Sequence, residues 1–158
     1  MRTSLASRIL IAAALLLGTA AAASAQEEAA CDAASFSGAF GYSLRGSVYD
    51  RNFNIYLLAA AGRIVADGAG NITGTDTISY DGGAVKRKLT GTYTVNADCT
   101  GTLVLNGDDT SVTNADFVIV NDGKEVSIVQ TDDGFILTGD LKRQKSVAPA
   151  AAPAAPAQ

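Results

Sequence analysis

Apolar and polar side chains alternate with a period of two along most of the central chain. From Phe36 the even positions read Phe36, Gly38, Phe40, Tyr42, Leu44, with Ser, Ala, Gly and Ser between them. Such alternation marks a strand with one buried face. Ile55 to Ala66 is a second apolar run, and the Gly62 inside it and the turn DGAGN after it favour strand over a short buried helix. Ile72 to Tyr80 alternates again, with Ile72, Gly74, Asp76, Ile78 and Tyr80 on one side and Thr73, Thr75, Thr77 and Ser79 on the other. After the YDGG turn, Arg87, Leu89, Gly91, Tyr93 and Val95 oppose Lys88, Thr90, Thr92 and Thr94. Threonine suits an exposed pleated surface, so the two threonine stripes mark the solvent side.

The remainder continues in the same style. Thr102 to Leu105 is a short strand ending at the hairpin signal Asn106-Gly107. Thr113 to Val120, Glu125 to Thr131 and Phe135 to Lys142 follow, separated by NDG and DDG turns. SVYDRNFN, carrying Tyr49 and Phe53, is the longest irregular connection. No amphipathic helix of ordinary length intervenes. The expected fold is all-β: an antiparallel up-and-down meander of about eight strands, closed or nearly closed into a barrel over 36–145.

The two ends of the chain have a different composition. Arg2 and Arg8 flank an apolar core from Ile9 to Leu17, and Ala23-Ser24-Ala25 supplies a small-x-small cleavage pattern. Residues 1–25 therefore read as a signal peptide cut between Ala25 and Gln26, giving a secreted or periplasmic protein. Its core falls short of the roughly 20 apolar residues of a bilayer span, so no membrane span is expected after cleavage. Residues 26–35 form a lead to the barrel. Residues 146–158, SVAPAAAPAAPAQ, hold all three prolines and read as a disordered Ala/Pro tail.

Cys31 and Cys99 are the only cysteines. An even pair in an exported chain reads as a disulfide, and closing a loop of 68 residues is worth roughly 4 kcal/mol on chain-entropy grounds. In a meander alternate turns share an end. Cys99 lies in a turn at the end where the first strand starts, and Cys31 just precedes that strand. The bridge would pin the lead across one barrel end.

Charge and composition exclude several chemistries. Without the signal segment, 12 basic residues less Arg2 and Arg8 face 16 acidic ones, leaving a net charge of −6. That opposes nucleic-acid binding, which needs a basic footprint. The chain has no histidine, and its one methionine is Met1. Histidine-based triads and imidazole metal sites are closed, and paired cysteines leave no soft metal ligand. No cofactor or metal is expected. Asp108-Asp109 and Asp132-Asp133 read as solvated turn acids, since neighbours on a turn point apart and match no EF-hand spacing.

Two interior positions are polar. Asp76 and Arg87 fall on the inward face of consecutive strands, opposite or diagonal across the Gly82-Gly83 hairpin. Either Arg87 snorkels to water at the rim, the commoner outcome, or the two form an interior ion pair that orients a polar ligand group. Phe40, Tyr42, Tyr93 and Phe117 line or fill the interior, with Tyr49 and Phe53 at the mouth. The inward glycines Gly38, Gly74, Gly91 and Gly139 either leave a cavity or relieve strand coiling.

DGAGNITGTD followed by LTGTYTVNADCTGTL resembles a pattern of small exported bacterial proteins of uncharacterised function, over roughly the middle third of the chain. That resemblance implies a secreted or periplasmic β-barrel and attaches no activity. More distantly the layout is similar to lipocalin-like and allene-oxide-cyclase-like barrels, which hold an apolar ligand. The Gly-x-Trp signature of lipocalins is missing, as the chain has no tryptophan.

The expected function is a non-enzymatic barrel binding a small apolar or amphipathic molecule through Phe40, Tyr42, Tyr49, Phe53, Asp76, Arg87, Tyr93 and Phe117. One alternative is an allene-oxide-cyclase-like isomerase built on Asp76 with Tyr93. Another is a surface interaction protein working through its threonine stripes.

Overall fold

The computed structural model describes residues 30–145. The expected signal peptide over 1–25, residues 26–29 of the expected lead and the expected Ala/Pro tail over 146–158 lie outside the described residues. Eight antiparallel strands run in chain order: β1 (Ser37–Tyr49), β2 (Ile55–Asp67), β3 (Asn71–Tyr80), β4 (Gly83–Val95), β5 (Thr100–Gly107), β6 (Val112–Val120), β7 (Glu125–Gln130) and β8 (Phe135–Arg143). Each pairs with the next, and β1 pairs with β8 from Phe40↔Arg143 to Val48↔Phe135, which closes the barrel. The expected meander, its strand count and its closure are therefore all present.

The inward parity also matches. Phe40, Ile64, Ile72, Leu89, Leu103, Phe117, Val126 and Leu141 form one buried core, and the threonines of β3 and β4 face out. This inside-apolar sense is the reverse of a membrane-spanning barrel, whose apolar band faces outward.

Several boundaries move. Ser47–Tyr49 belong to β1, which leaves Asp50–Asn54 as the irregular connection. The Asp50 carboxylate closes it by accepting from the Asn52 and Asn54 backbone N–H groups at 2.8 and 2.9 Å. The β5–β6 turn is not at Asn106-Gly107. Asn106 still pairs with Val112, and the chain reverses over Asp108–Ser111. Asp109 wins this competition by accepting from both the backbone N–H and the hydroxyl of Ser111, an Asx turn that Asn-Gly alone does not provide.

The inward glycines serve strand coiling. A Cβ at Gly139 would overlap the Ser43 carbonyl oxygen of the neighbouring strand, and one at Gly91 the Val104 carbonyl oxygen. Only a residue without a side chain lets strands of a small barrel approach so closely.

One end is plugged. Cys31 and Cys99 form the expected disulfide. The lead crosses the barrel end through a single 3-10 turn, Ala33–Ser35, held by reciprocal bonds between Asp32 and Ser35. This turn delivers Phe36, which is not the first strand residue but a stopper with no exposed surface. Its ring packs against Phe40, Tyr93 and Phe117 at centroid separations of 5.0–5.2 Å. Tyr93 adds a hydrogen bond from its hydroxyl to the Ala33 carbonyl at 2.9 Å.

Phe36→Ala should lower stability by about 3–5 kcal/mol in denaturant unfolding, the range for truncating a fully buried aromatic. Replacing both cysteines by serine should cost roughly 4 kcal/mol. The combined variant should lose less than the sum, because both changes release the same segment.

Candidate ligand site

Four consecutive strands place one row of side chains across the interior. Tyr42 on β1 pairs with Gly62 on β2, Gly62 with Asp76 on β3, and Asp76 with Arg87 on β4. Gly62 leaves the row open, so the Tyr42 hydroxyl reaches past β2 and donates to Asp76 Oδ2 at 2.7 Å. A Cβ there would run into Asp76 itself.

Asp76 and Arg87 form an interior ion pair, so Arg87 does not snorkel to water. Its Nε donates to Asp76 Oδ1 at 3.0 Å and its Nη2 to Oδ2 at 2.6 Å. The Asp76 side chain is 0% exposed and that of Arg87 8%. Arg87 Nη1 donates to Ser111 Oγ at 2.7 Å, which ties the β5–β6 turn to the pair. The rim was the expected place because an isolated guanidinium is costly in an apolar interior. The bidentate bond to Asp76 and the further bond to Ser111 offset that cost.

The electrostatics follow from this arrangement. The hydrogen bond to Asp76 pushes the Arg87 pKa further up. Burial, and then the hydrogen bond to Asp76, push the Tyr42 phenol well above its ordinary value of 10.0. Tyr42 therefore stays protonated and donates. On Asp109, the hydroxyl of Ser111 lowers the carboxyl pKa below its ordinary value.

Toward the open end, opposite the plug, the interior is not filled. A cavity of about 270 Å³ lies there. Leu44, Leu58, Ala60, Ile78 and Leu137 form its apolar wall; Arg87, Asp109, Ser111, Thr113 and Gln130 form its polar side. Val48, Tyr80, Val112 and Phe135 complete the lining. Filling and cavity, posed as alternatives by the sequence, thus divide the barrel between its two ends.

The residues expected at the site separate accordingly. Arg87 lines the cavity, with Asp76 and Tyr42 behind it. Phe40, Tyr93 and Phe117 belong to the plugged end and pack around Phe36. Tyr49 and Phe53 sit at the open end, as expected, but on an outer depression shared with Asp50, Arg51 and Ile136. Phe53 is 85% exposed. The set of Asp76 with Tyr93 is not assembled, since Tyr93 bonds to Ala33 and the tyrosine on Asp76 is Tyr42. Ser111, Thr113 and Gln130 were missed, and Asp109 was read as a solvated turn acid rather than a lining residue. Ser111 and Asp109 lie in the turn expected at 106–107 and found at 108–111, and inward parity marks Thr113 and Gln130.

No protein-family model matches the chain, and no curated protein does. Among solved structures it is similar to a de novo designed fluorescence-activating β-barrel. That likeness has a TM-score of 0.53 and 15% identity, covering 72% of this chain and 99% of the other. A redesigned β-barrel bound to DFHBI is also similar, at TM-score 0.48 and 14% identity, over 70% and 97% of the two chains. At these identities the first likeness shows the fold, and the second carries no further weight.

Asp76→Asn should destabilise the protein by about 3–5 kcal/mol, because it strips the carboxylate from a buried guanidinium. The triple change Tyr42→Phe, Asp76→Leu and Arg87→Met should recover most of that loss in the same unfolding assay. Alkali should act through Tyr42. Its raised folded pKa means that its stabilisation is intact below the ordinary value of 10.0 and drains away as pH rises beyond it. Spectrophotometric titration should show Tyr42 ionising last of the five phenols, after Tyr56 and Tyr93, whose pKa values are also raised, and this last step should be missing in Tyr42→Phe.

Proposed function

We propose that the protein is an exported binding barrel that holds one small amphipathic molecule in its open-end cavity, without turnover. The observation that carries this reading is the asymmetry of the interior. One end is sealed by Phe36 and the disulfide, while the other keeps an apolar cavity with a polar side. At about 270 Å³ it stands near the lower limit of ligand cavities, which run roughly 300–1,000 Å³. Its volume equals about nine waters at roughly 30 Å³ each, enough for a short aliphatic chain or a fused ring pair.

Carriage rather than catalysis is supported by the state of the polar groups. Asp76, Arg87 and Tyr42 are bonded to one another, and the phenol proton is held by burial and by Asp76. These groups position and neutralise one another, and the Tyr42 phenol and the Arg87 guanidinium both hold their protons near neutral pH. The designed barrel of similar fold is described as fluorescence-activating. Export rests on the signal pattern of residues 1–25, and a disulfide-bonded chain suits that compartment.

The test is uptake of prodan, a neutral naphthyl ketone dye whose emission shifts to the blue in apolar surroundings. The wild type should shift it. Ala60→Phe, which fills the cavity, should abolish the shift, whereas Val129→Phe on the outer face of β7 should not. A dye unmoved by the wild type, or a shift that survives Ala60→Phe, would sink the reading.

A further inference from the structure

The binding reading leaves open what head group the guest carries, and the charges around the cavity address that question. Arg87 invites comparison with an anion receptor, but its charge is already committed. Nε and Nη2 hold Asp76, and Nη1 holds Ser111. Asp76 has no exposed side-chain surface, so it cannot swing into water and release the guanidinium to a guest carboxylate. Separating the buried pair would leave a charge without compensation, which is the costly outcome.

A second carboxylate then tips the balance. Asp109 lines the cavity, and its Oδ2 stands 3.9 Å from Arg87 Nη1, beyond hydrogen-bond reach. Its Oδ1 accepts from the Ser111 backbone N–H and hydroxyl, which holds the group in place and keeps it ionised. One guanidinium therefore faces two carboxylates, and Oδ2 retains unused acceptor capacity.

The surroundings carry the same sign. The open-end connections 50–54, 81–82, 108–111 and 131–134 hold Asp50, Asp81, Asp108, Asp109, Asp132 and Asp133 against Arg51 alone. Lys86 and Lys88 lie outside, on the outer face of β4. An approaching anion meets a field of its own sign, and a cation is drawn in. Tyr80 and Phe135 supply aromatic surface in the lining, which further suits a cation.

We propose that the cavity takes an apolar molecule bearing a protonated amine head, seated on Asp109 Oδ2, and discriminates against the carboxylate with the same tail. This rests on the binding reading and adds the chemical class of the guest.

The test uses three probes with one six-carbon tail: hexylamine, 1-hexanol and hexanoate, each displacing prodan at neutral pH and low salt. The amine should bind tightest and the acid weakest, with amine over acid by about tenfold or more, a factor equivalent to about 1.4 kcal/mol. Raising the salt, and separately Asp109→Asn, should each narrow the gap. An acid that matches the amine, or an alcohol that outcompetes it, overturns the charge assignment and leaves the binding barrel standing. If prodan does not enter, or if no probe displaces it, the binding reading itself fails and the head-group assignment falls with it.

Discussion

Closure of the sheet is the constraint on which everything else depends. Because β1 pairs with β8, no strand edge is left open, and every residue of the wall is committed to inside or outside by its parity. A slip of one residue would turn Phe40, Ile64, Leu89 and Phe117 to water together, so the register is strongly specified. Closure with eight strands also fixes the width. Such a barrel is just wide enough for side chains to fill, and a modest change in their size decides between a solid core and a cavity. The glycines whose neighbours sit against them, Gly91 and Gly139, belong to the same constraint, since they permit the coiling that closure needs.

Within that frame, the two ends behave differently because the chain supplies a stopper at only one. Phe36 enters from outside the wall, carried by the lead, and meets three aromatic rings. No comparable residue enters from the opposite connections. There the interior is lined by Leu44, Leu58, Ala60, Ile78, Leu137 and polar groups, whose summed bulk falls short of the space. Phe53 is bulky enough to serve but is carried outward by a positive φ of 61° in the Asp50–Asn54 turn. The cavity is therefore a consequence of side-chain size and turn geometry together.

Most of this fold was legible in the sequence, because period-2 alternation and Asp/Asn/Gly turns are local signals. The disulfide was legible too, since strand count and turn parity put both cysteines at one end. What escaped was of another kind. Phe36 obeys the even-position pattern of β1 and so reads as a strand residue; only the Asp32 cap shows that the chain turns before it. Asn106-Gly107 is a strong hairpin signal locally, but Asp109 and Ser111 form a tighter set of bonds a few residues on. At the site, Asp76 and Arg87 were found by parity. The tyrosine on Asp76 was not, because choosing Tyr42 over Tyr93 requires knowing that Gly62 leaves a gap between two strands.

The buried row also decides what the site is able to do. In a low-dielectric interior a charged pair gains little net stability over an apolar one of equal volume, and it costs much when broken. Tyr42, Asp76 and Arg87 therefore act as a strap: they tie β1, β3, β4 and the β5–β6 turn at one level and fix the inner boundary of the cavity. Because they satisfy one another, they present a nearly neutral floor. The charge that remains to be felt is the one that lies off the row, on Asp109. A site whose interior polar groups are mutually spent leaves selection among guests to its periphery, and here that periphery is acidic.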